Sequence, residues 1–186
     1  MLSGSCSPVT DRQIAWSLEH GFAELAIDTA RLRQSNQLDF EVQDLVKRVD
    51  SLLDTGRSVV VHTSRGQSDL RIASTNNCKN THNEGYHELG VILGRVLLGV
   101  LRAREVGRVA VVGGDTSGQV ARTIGIEALE MVGPLDPGAP LCVARSRDGV
   151  VDGLEITFKG GQVGYDDFFG TLLRGRSNRS LTGAHT

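Results

Sequence analysis

Apolar positions along the chain fall into two periods. Phe40, Val42, Leu45, Val46, Val49, Leu52 and Leu53 recur at helical spacing before Gly56, which predicts a helix over 40–53. The longest such pattern runs from Tyr86 or His87 to about Arg104. There Leu89, Ile92, Leu93, Val96, Leu97, Val100 and Leu101 cover much of the circumference, as in a helix packed centrally on a sheet. A shorter helix is predicted from Asp11 to about His20. Thr10 and Gln13 would form its capping box, Ile14, Ala15 and Leu18 its buried face, and Gly21 its end.

Between these stretches lie short apolar runs of strand length, at 22–27, 58–62, 109–112, 128–132, 141–144 and 154–158. Val109 to Val112 is unbroken, as in a strand buried on both faces. Gly113 and Gly114 end it, and Thr116 or Ser117 can cap a following helix that buries Val120 and Ile124. Gly133-Pro134 and Asp136-Pro137-Gly138 read as breakers after the 128–132 strand. A last helix is predicted from Asp166 or Asp167 through Phe168, Phe169, Leu172 and Leu173. Residues 28–40 carry neither period, and the asparagine-rich 68–84 reads as a loop. Alternating strands and helices predict an α/β fold, with a mostly parallel sheet flanked by helices and Val109–Val112 at its centre.

One loop lacks an expected neighbour. Ser3 to Ser7 should follow a buried strand, yet only Met1 and Leu2 precede it. The expectation is that the chain was cut there or that the strand lies on another chain.

Composition narrows the classes. With 39% hydrophobic residues in 186, one domain with an aliphatic core is expected, since aromatics are only 4%. The 23 glycines exceed the roughly 7% of average usage and gather at predicted strand ends. A net charge of −2 without a basic stripe argues against nucleic acid as a partner. Three scattered cysteines without a Cys-x-x-Cys pair suit a reducing cytoplasm. No apolar run reaches membrane-spanning length, and the first residues lack a signal peptide's regions. The pattern leaves a homo-oligomer open.

In a sheet of this kind ligands bind outside the carboxyl ends of the strands. Three glycine- or hydroxyl-rich loops fall there: Ser3 to Ser7, Gly113 to Gly118, and Lys159 to Gly164. Strand, glycine turn and helix N-terminus together make an anion site, with phosphate as its natural guest, although an ordinary turn would read the same. The turn is neither a Walker A loop nor Gly-x-Gly-x-x-Gly. Asp115 is a candidate Mg²⁺ ligand, or an Asx turn or cap. Lys159 meets a phosphate or is a solvated strand-end lysine; Ser5 and Ser7 donate to a ligand or bond their own backbone. His82, Glu84, His87 and Glu88 lack His-Glu-x-x-His spacing, so a solvated helix start outweighs a metal site. No Gly-x-Ser-x-Gly elbow supports a hydrolase.

Taken in order, Ser3-Gly-Ser-Cys-Ser-Pro-Val-Thr10, Val112-Gly-Gly-Asp-Thr-Ser-Gly118 and Lys159-Gly-Gly-Gln-Val-Gly164 resemble the C-terminal nucleotide-binding domain of the four-carbon acid sugar kinases. The resemblance implies a nucleotide-binding domain over residues 1–174, followed by a polar tail over 175–186. It implies ATP with Mg²⁺, and phosphorylation of a tetronate or 3-oxo-tetronate. Carried over by motif, the ATP contacts are Ser5 or Ser7, Gly113, Gly114, Asp115 and Thr116, and Gly161 with its neighbours Gly160 and Gly164, with Asp115 at the metal. Family members also carry an N-terminal domain that supplies most of the acid-sugar site. This chain has none, so catalysis by it alone is not expected. Arg65 and Arg71 are the arginines near a strand end that could clamp an acid, and their loop matches no family motif. The other reading, from a different class, is a non-catalytic nucleotide- or phosphate-binding module acting with a partner protein.

Overall fold

The computed structural model describes residues 1–34, 36–66, 69 and 84–175. Its strands are β1 (Leu2–Ser3), β2 (Ala23–Ala26), β3 (Val59–His62), β4 (Arg108–Val112), β5 (Ile126–Asp136), β6 (Ala139–Ser146) and β7 (Glu155–Lys159). Its helices are α1 (Pro8–Glu19), α2 (Thr29–Gln34), α3 (Leu38–Leu53), α4 (Glu84–Ala103), α5 (Gly114–Thr123) and α6 (Phe168–Arg174). One seven-stranded sheet runs in the order β2-β3-β1-β4-β7-β6-β5. Its first five members are parallel, and β6 and β5 join antiparallel. The α/β expectation holds, with β4 at the centre.

Alternation along β4 explains its unbroken apolar run. Val109 and Val111 face one core, with Leu2, Val61, Ile92, Val96 and Val100; Ala110 and Val112 face the other, with Phe168, Phe169 and Leu172. Helix α4 fills the first core and lies close to its neighbours because of what it lacks. A Cβ on Gly94 would lie 2.6 Å from Thr123 Cβ of α5, and one on Gly99 2.6 Å from Val46 of α3.

Several expectations are corrected. The strand before Ser3 is not missing. Leu2 and Ser3 supply it, inserted between β3 and β4, and Met1 O already accepts from Val61 N at 2.9 Å. Two residues suffice because both neighbours bond them. Strand β5 runs through Gly133 and Pro134 instead of breaking there. It is an edge strand with register shifts beside both residues, where a missing N–H is tolerated. The turn at Pro137 and Gly138 is as expected, with Gly138 at φ 79°. Within 28–40 the unassigned stretch contains α2. Most of 68–84, and the tail beyond 175, lie outside the described residues. No helix among the described residues is long and apolar enough to cross a membrane.

Candidate functional site

The parallel strands deliver four loops to one edge: 4–7 after β1, 63–66 after β3, the turn at Gly113 after β4, and 160–167 after β7. Three of them continue the sheet's bonding beyond the strands. Gly4 N donates to Val112 O at 3.1 Å, and Gly113 N donates to Lys159 O at 3.0 Å. Glycine sets their spacing. A Cβ on Gly4 would overlap Thr116 Oγ1, and a Cβ on Gly161 would overlap Ser5 Oγ and lie 3.0 Å from Ser7 Cβ.

The first helix opens differently from its capping-box reading. Ser7 is the N-cap, its Oγ accepting from Val9 N at 3.2 Å, with Pro8 at the first helical position. Thr10 and Gln13 are fully buried and face the loop after β7. Thr10 Oγ1 donates to Gly161 O at 2.8 Å, while Gln13 Nε2 reaches Val163 O and Tyr165 O, both at 3.0 Å. This face of α1, completed by Ile14 and Ser17, replaces the expected Ile14, Ala15 and Leu18 stripe.

The hydroxyls separate the two candidate serines. Thr10 has one proton, and the Gly161 carbonyl can only accept it, so the Ser5 proton completes the 3.1 Å contact between Thr10 Oγ1 and Ser5 Oγ. Ser5 Oγ also accepts from Ser7 N at 3.2 Å. Its bonding is therefore spent inside the fold. Ser7 Oγ accepts from Val9 N and keeps its own proton to donate.

Helix α5 begins with Gly113 as its N-cap, at φ 112° and ψ 131°, and no side chain caps it; Thr116 and Ser117 are not the cap. The first-turn N–H groups at Gly114, Asp115 and Thr116 therefore have no side-chain acceptor from the cap, in the position where the helix dipole favours an anion. Gly114 and Asp115 are exposed, and nothing lies within 4 Å of a Cβ placed on Gly114. Thr116 is buried beneath the turn, against Gly4.

Residues 1–169 match the family model described as nucleotide-binding C-terminal domain. The chain belongs to that family. Its curated relatives are kinases of the four-carbon acid sugar family, as the ordered loops led us to expect. The 3-oxo-isoapionate kinase of Paraburkholderia graminis is 40% identical over 179 residues, covering 94% of this chain and 38% of the relative. The 3-oxo-tetronate kinase of Pseudomonas savastanoi pv. phaseolicola is 26% identical, covering 94% and 37%. This nucleotide-binding domain thus spans less than two-fifths of these curated relatives. A crystal structure from Salmonella typhimurium LT2 shares the fold, with a TM-score of 0.75 at 24% identity over 95% of this chain and 40% of that one.

Other candidate residues of the nucleotide-binding domain take distinct places. Gly160 lies against Val163, and Gly164, at φ 90°, is wedged against Phe168 and Gln13. Asp115 stands alone in the first turn of α5; no cluster of three or more His, Cys, Asp or Glu suited to a metal occurs among the described residues. Lys159 is not a solvated strand end. It is 2% exposed, its Nζ donating to Gly160 O at 3.0 Å and Val163 O at 2.9 Å, and it sits 5.4 Å from the centre of the Phe168 ring. Burial pulls its ammonium down to about 8, against the attraction of Asp136.

Beside the site lies a charge cluster that the sequence reading missed. His62 is fully buried, with Nε2 2.8 Å from Glu24 Oε1, and Arg65 bridges Asp11 at 2.7 Å and Glu24 at 3.5 Å. Desolvation raises the Glu24 carboxyl, but hydrogen bonds and charge from His62 and Arg65 outweigh it and bring it below its usual value. Arg65 is thereby engaged within the fold, on Asp11 and Glu24. Arg71 and His82, and the side chains of Glu84 and His87, lie outside the described residues, and Glu88 is exposed. His62 and Arg65 stand at the carboxyl end of β3 while Glu24 is the second residue of β2, so no local pattern in the sequence joins them.

A cavity of about 820 Å³ opens at the opposite, amino edge of the sheet, lined by Leu2, Val59, Val100, Arg104 and Arg108 among others. Two of its arginines are already paired, Arg104 with Asp50 and Asp54 and Arg108 with Glu155, and Arg57 donates to Thr55 Oγ1. Volume without converging free polar groups does not mark a chemical site.

Proposed function

We propose that this chain binds ATP across the loops after β1, β4 and β7, as the nucleotide half of a kinase that phosphorylates a short hydroxylated acid of the tetronate or 3-oxo-tetronate class. The observation that carries the reading is the uncapped α5 N-terminus, with Gly114 open to solvent, held between the two other loops by direct hydrogen bonds. The free amides from Gly114 to Thr116 would receive phosphate oxygens. Ser7 would add its proton, and Gly161 would let the β7 loop approach without a side chain in the way. Asp115 would hold Mg²⁺ through water. ATP, when bound, supplies the phosphoryl group; the chain's own part is to fix and neutralise its phosphates.

An acceptor hydroxyl must share that cleft. With Arg65 engaged, no acid-binding group is offered by the described loops, and the named relatives carry further chain beyond the matched part. The acid sugar is therefore assigned to a domain of that kind. Among the described residues Cys6 and Cys142 form no disulfide, which supports a cytoplasmic setting.

Calorimetric titration with ATP and Mg²⁺ tests the reading, alongside phosphoryl transfer to a tetronate with and without a separately produced N-terminal domain. Binding by the chain alone, with transfer only on addition of that domain, is expected. A folded chain that binds no ATP would overturn the nucleotide assignment; efficient transfer by the chain alone would overturn the division of labour.

A further inference from the structure

Strand β5 closes one edge of the sheet, pairing with β6 on one side and, among the described residues, with no strand on the other. Its 11 residues span about 36 Å at roughly 3.3 Å per residue, with a row of backbone N–H and C=O groups facing outward. Three of the large apolar side chains exposed among the described residues stand within four consecutive positions of it: Leu129 at 44%, Met131 at 65% and Val132 at 57%. Leu129 lies opposite Ala144 and Met131 opposite Cys142, so both continue the sheet face that is buried at Ala144 and Ile156. Cover on that face reaches Ile126, which packs on the first core, and gives out beyond it. Edges are ordinarily blunted by lysine, proline or bulges. Pro134 and the register shifts beside it do this beyond Met131, but 128–131 pairs in unbroken register with 142–145 and holds neither lysine nor proline. The surrounding charges are balanced, Glu130 pairing with Arg145 and Glu127 with Arg147. A surface of this kind complements a second copy of itself, whose carboxylates can be set beside its guanidiniums, whereas a partner of one sign would meet like charge.

We propose that β5 is a dimerisation edge: two copies of the chain pair β5 with β5, antiparallel about a twofold axis normal to the sheet, and join two seven-stranded sheets into one. Such an axis keeps each face of the sheet with its counterpart. Leu129 and Met131 of both strands therefore cover one another on one face, and the Glu130–Arg145 pairs meet on the other. The outward N–H and C=O groups of the edge gain partners in the same step. An edge of about 36 Å crosses the full width of a standard interface of about 800 Å² per partner, which is roughly 28 Å across. Antiparallel pairing points the carboxyl edges of the two sheets in opposite directions. Each candidate nucleotide site thus stays within one chain, and the proposal is independent of the nucleotide reading.

Analytical ultracentrifugation at about 100 µM, where a dimer of micromolar Kd is nearly fully formed, tests this on the parent chain, Met131→Asp and Phe40→Asp. Phe40 is as exposed as Met131 but stands on α3, which packs on β2 and β3 at the other end of the sheet. A parent and a Phe40→Asp variant of twice the chain mass, with Met131→Asp of single mass, is the expected result. A monomeric parent overturns the proposal, and so does a dimer that Met131→Asp leaves intact or Phe40→Asp dissociates. Should Met131→Asp fail to fold, hydrogen exchange of the parent chain decides. Amides in 128–132 that exchange about tenfold more slowly at high than at low protein concentration sustain the proposal, and exchange independent of concentration overturns it.

Discussion

Thr10 Oγ1 donates to the carbonyl oxygen of Gly161 at 2.8 Å, joining the first turn of α1 to the loop after β7 across 151 positions of sequence. The bond is partly buried and leads onward to a buried contact with Ser5, so one hydroxyl aligns two of the three loops at the carboxyl edge. Thr10→Val keeps the shape and deletes the donor, stranding the Gly161 carbonyl and the Ser5 proton. A loss of about 1–3 kcal/mol is expected in urea denaturation, together with weaker ATP binding. Unchanged stability would mean that the two loops hold their places without this link.

Two glycines of the site should differ in what substitution does to stability. Gly114→Val meets nothing within 4 Å at its Cβ, so stability should stay within about 1 kcal/mol of the parent. Its side chain would nevertheless stand where phosphate is proposed to lie, and ATP affinity should fall about tenfold or more. Gly161→Ala overlaps Ser5 Oγ and should cost about 1–3 kcal/mol of stability as well as affinity. Paired melting curves and ATP titrations separate the cases. A badly destabilised Gly114→Val would make that turn purely structural.

The serines differ in what their protons do. Ser7→Gly retains a tolerated N-cap residue, at a cost of a few tenths of a kcal/mol, roughly, but removes the free donor. Weaker ATP binding with a nearly unchanged melting temperature is expected. Ser5→Ala should instead lower the melting temperature, because the Ser5 hydroxyl bonds Ser7 N and Thr10. Reversed behaviour of the two variants would refute the assignment of hydrogens.

Acid should act through Glu24. His62 and Arg65 hold its folded-state carboxyl below the ordinary 4.5, so the stability it contributes is complete above that value and drains away as pH falls beneath it. Glu24→Gln is expected to flatten the acid limb of a stability-against-pH curve below the ordinary 4.5. An unaltered acid limb would show that the cluster is not a source of acid sensitivity.

Local pattern made much of this domain legible. Val109–Val112 is apolar on both faces and ends in two glycines, so a buried central strand with a sharp turn into a helix follows from periodicity and backbone freedom alone. The long stripe of α4 was equally legible, since a helix apolar round most of its circumference must be covered. Three glycine- or hydroxyl-rich loops in order pointed to the family for the same reason: each sits where a strand ends. What the residues touch was another matter. Thr10 and Gln13 fit a capping box in sequence, and the loop after β7 claims both only because β7 lies beside β4, two strands from α1's own strand. Pro134 reads as a breaker, yet β5 carries it because that strand is an edge. Lys159 reads as a surface lysine, and its burial is created by α6 and the folded-over loop, elements distant from any local window. Periodicity reports which face of an element is covered. Only the tertiary structure decides what covers it, because desolvation and hydrogen bonding depend on partners brought together by the sheet order.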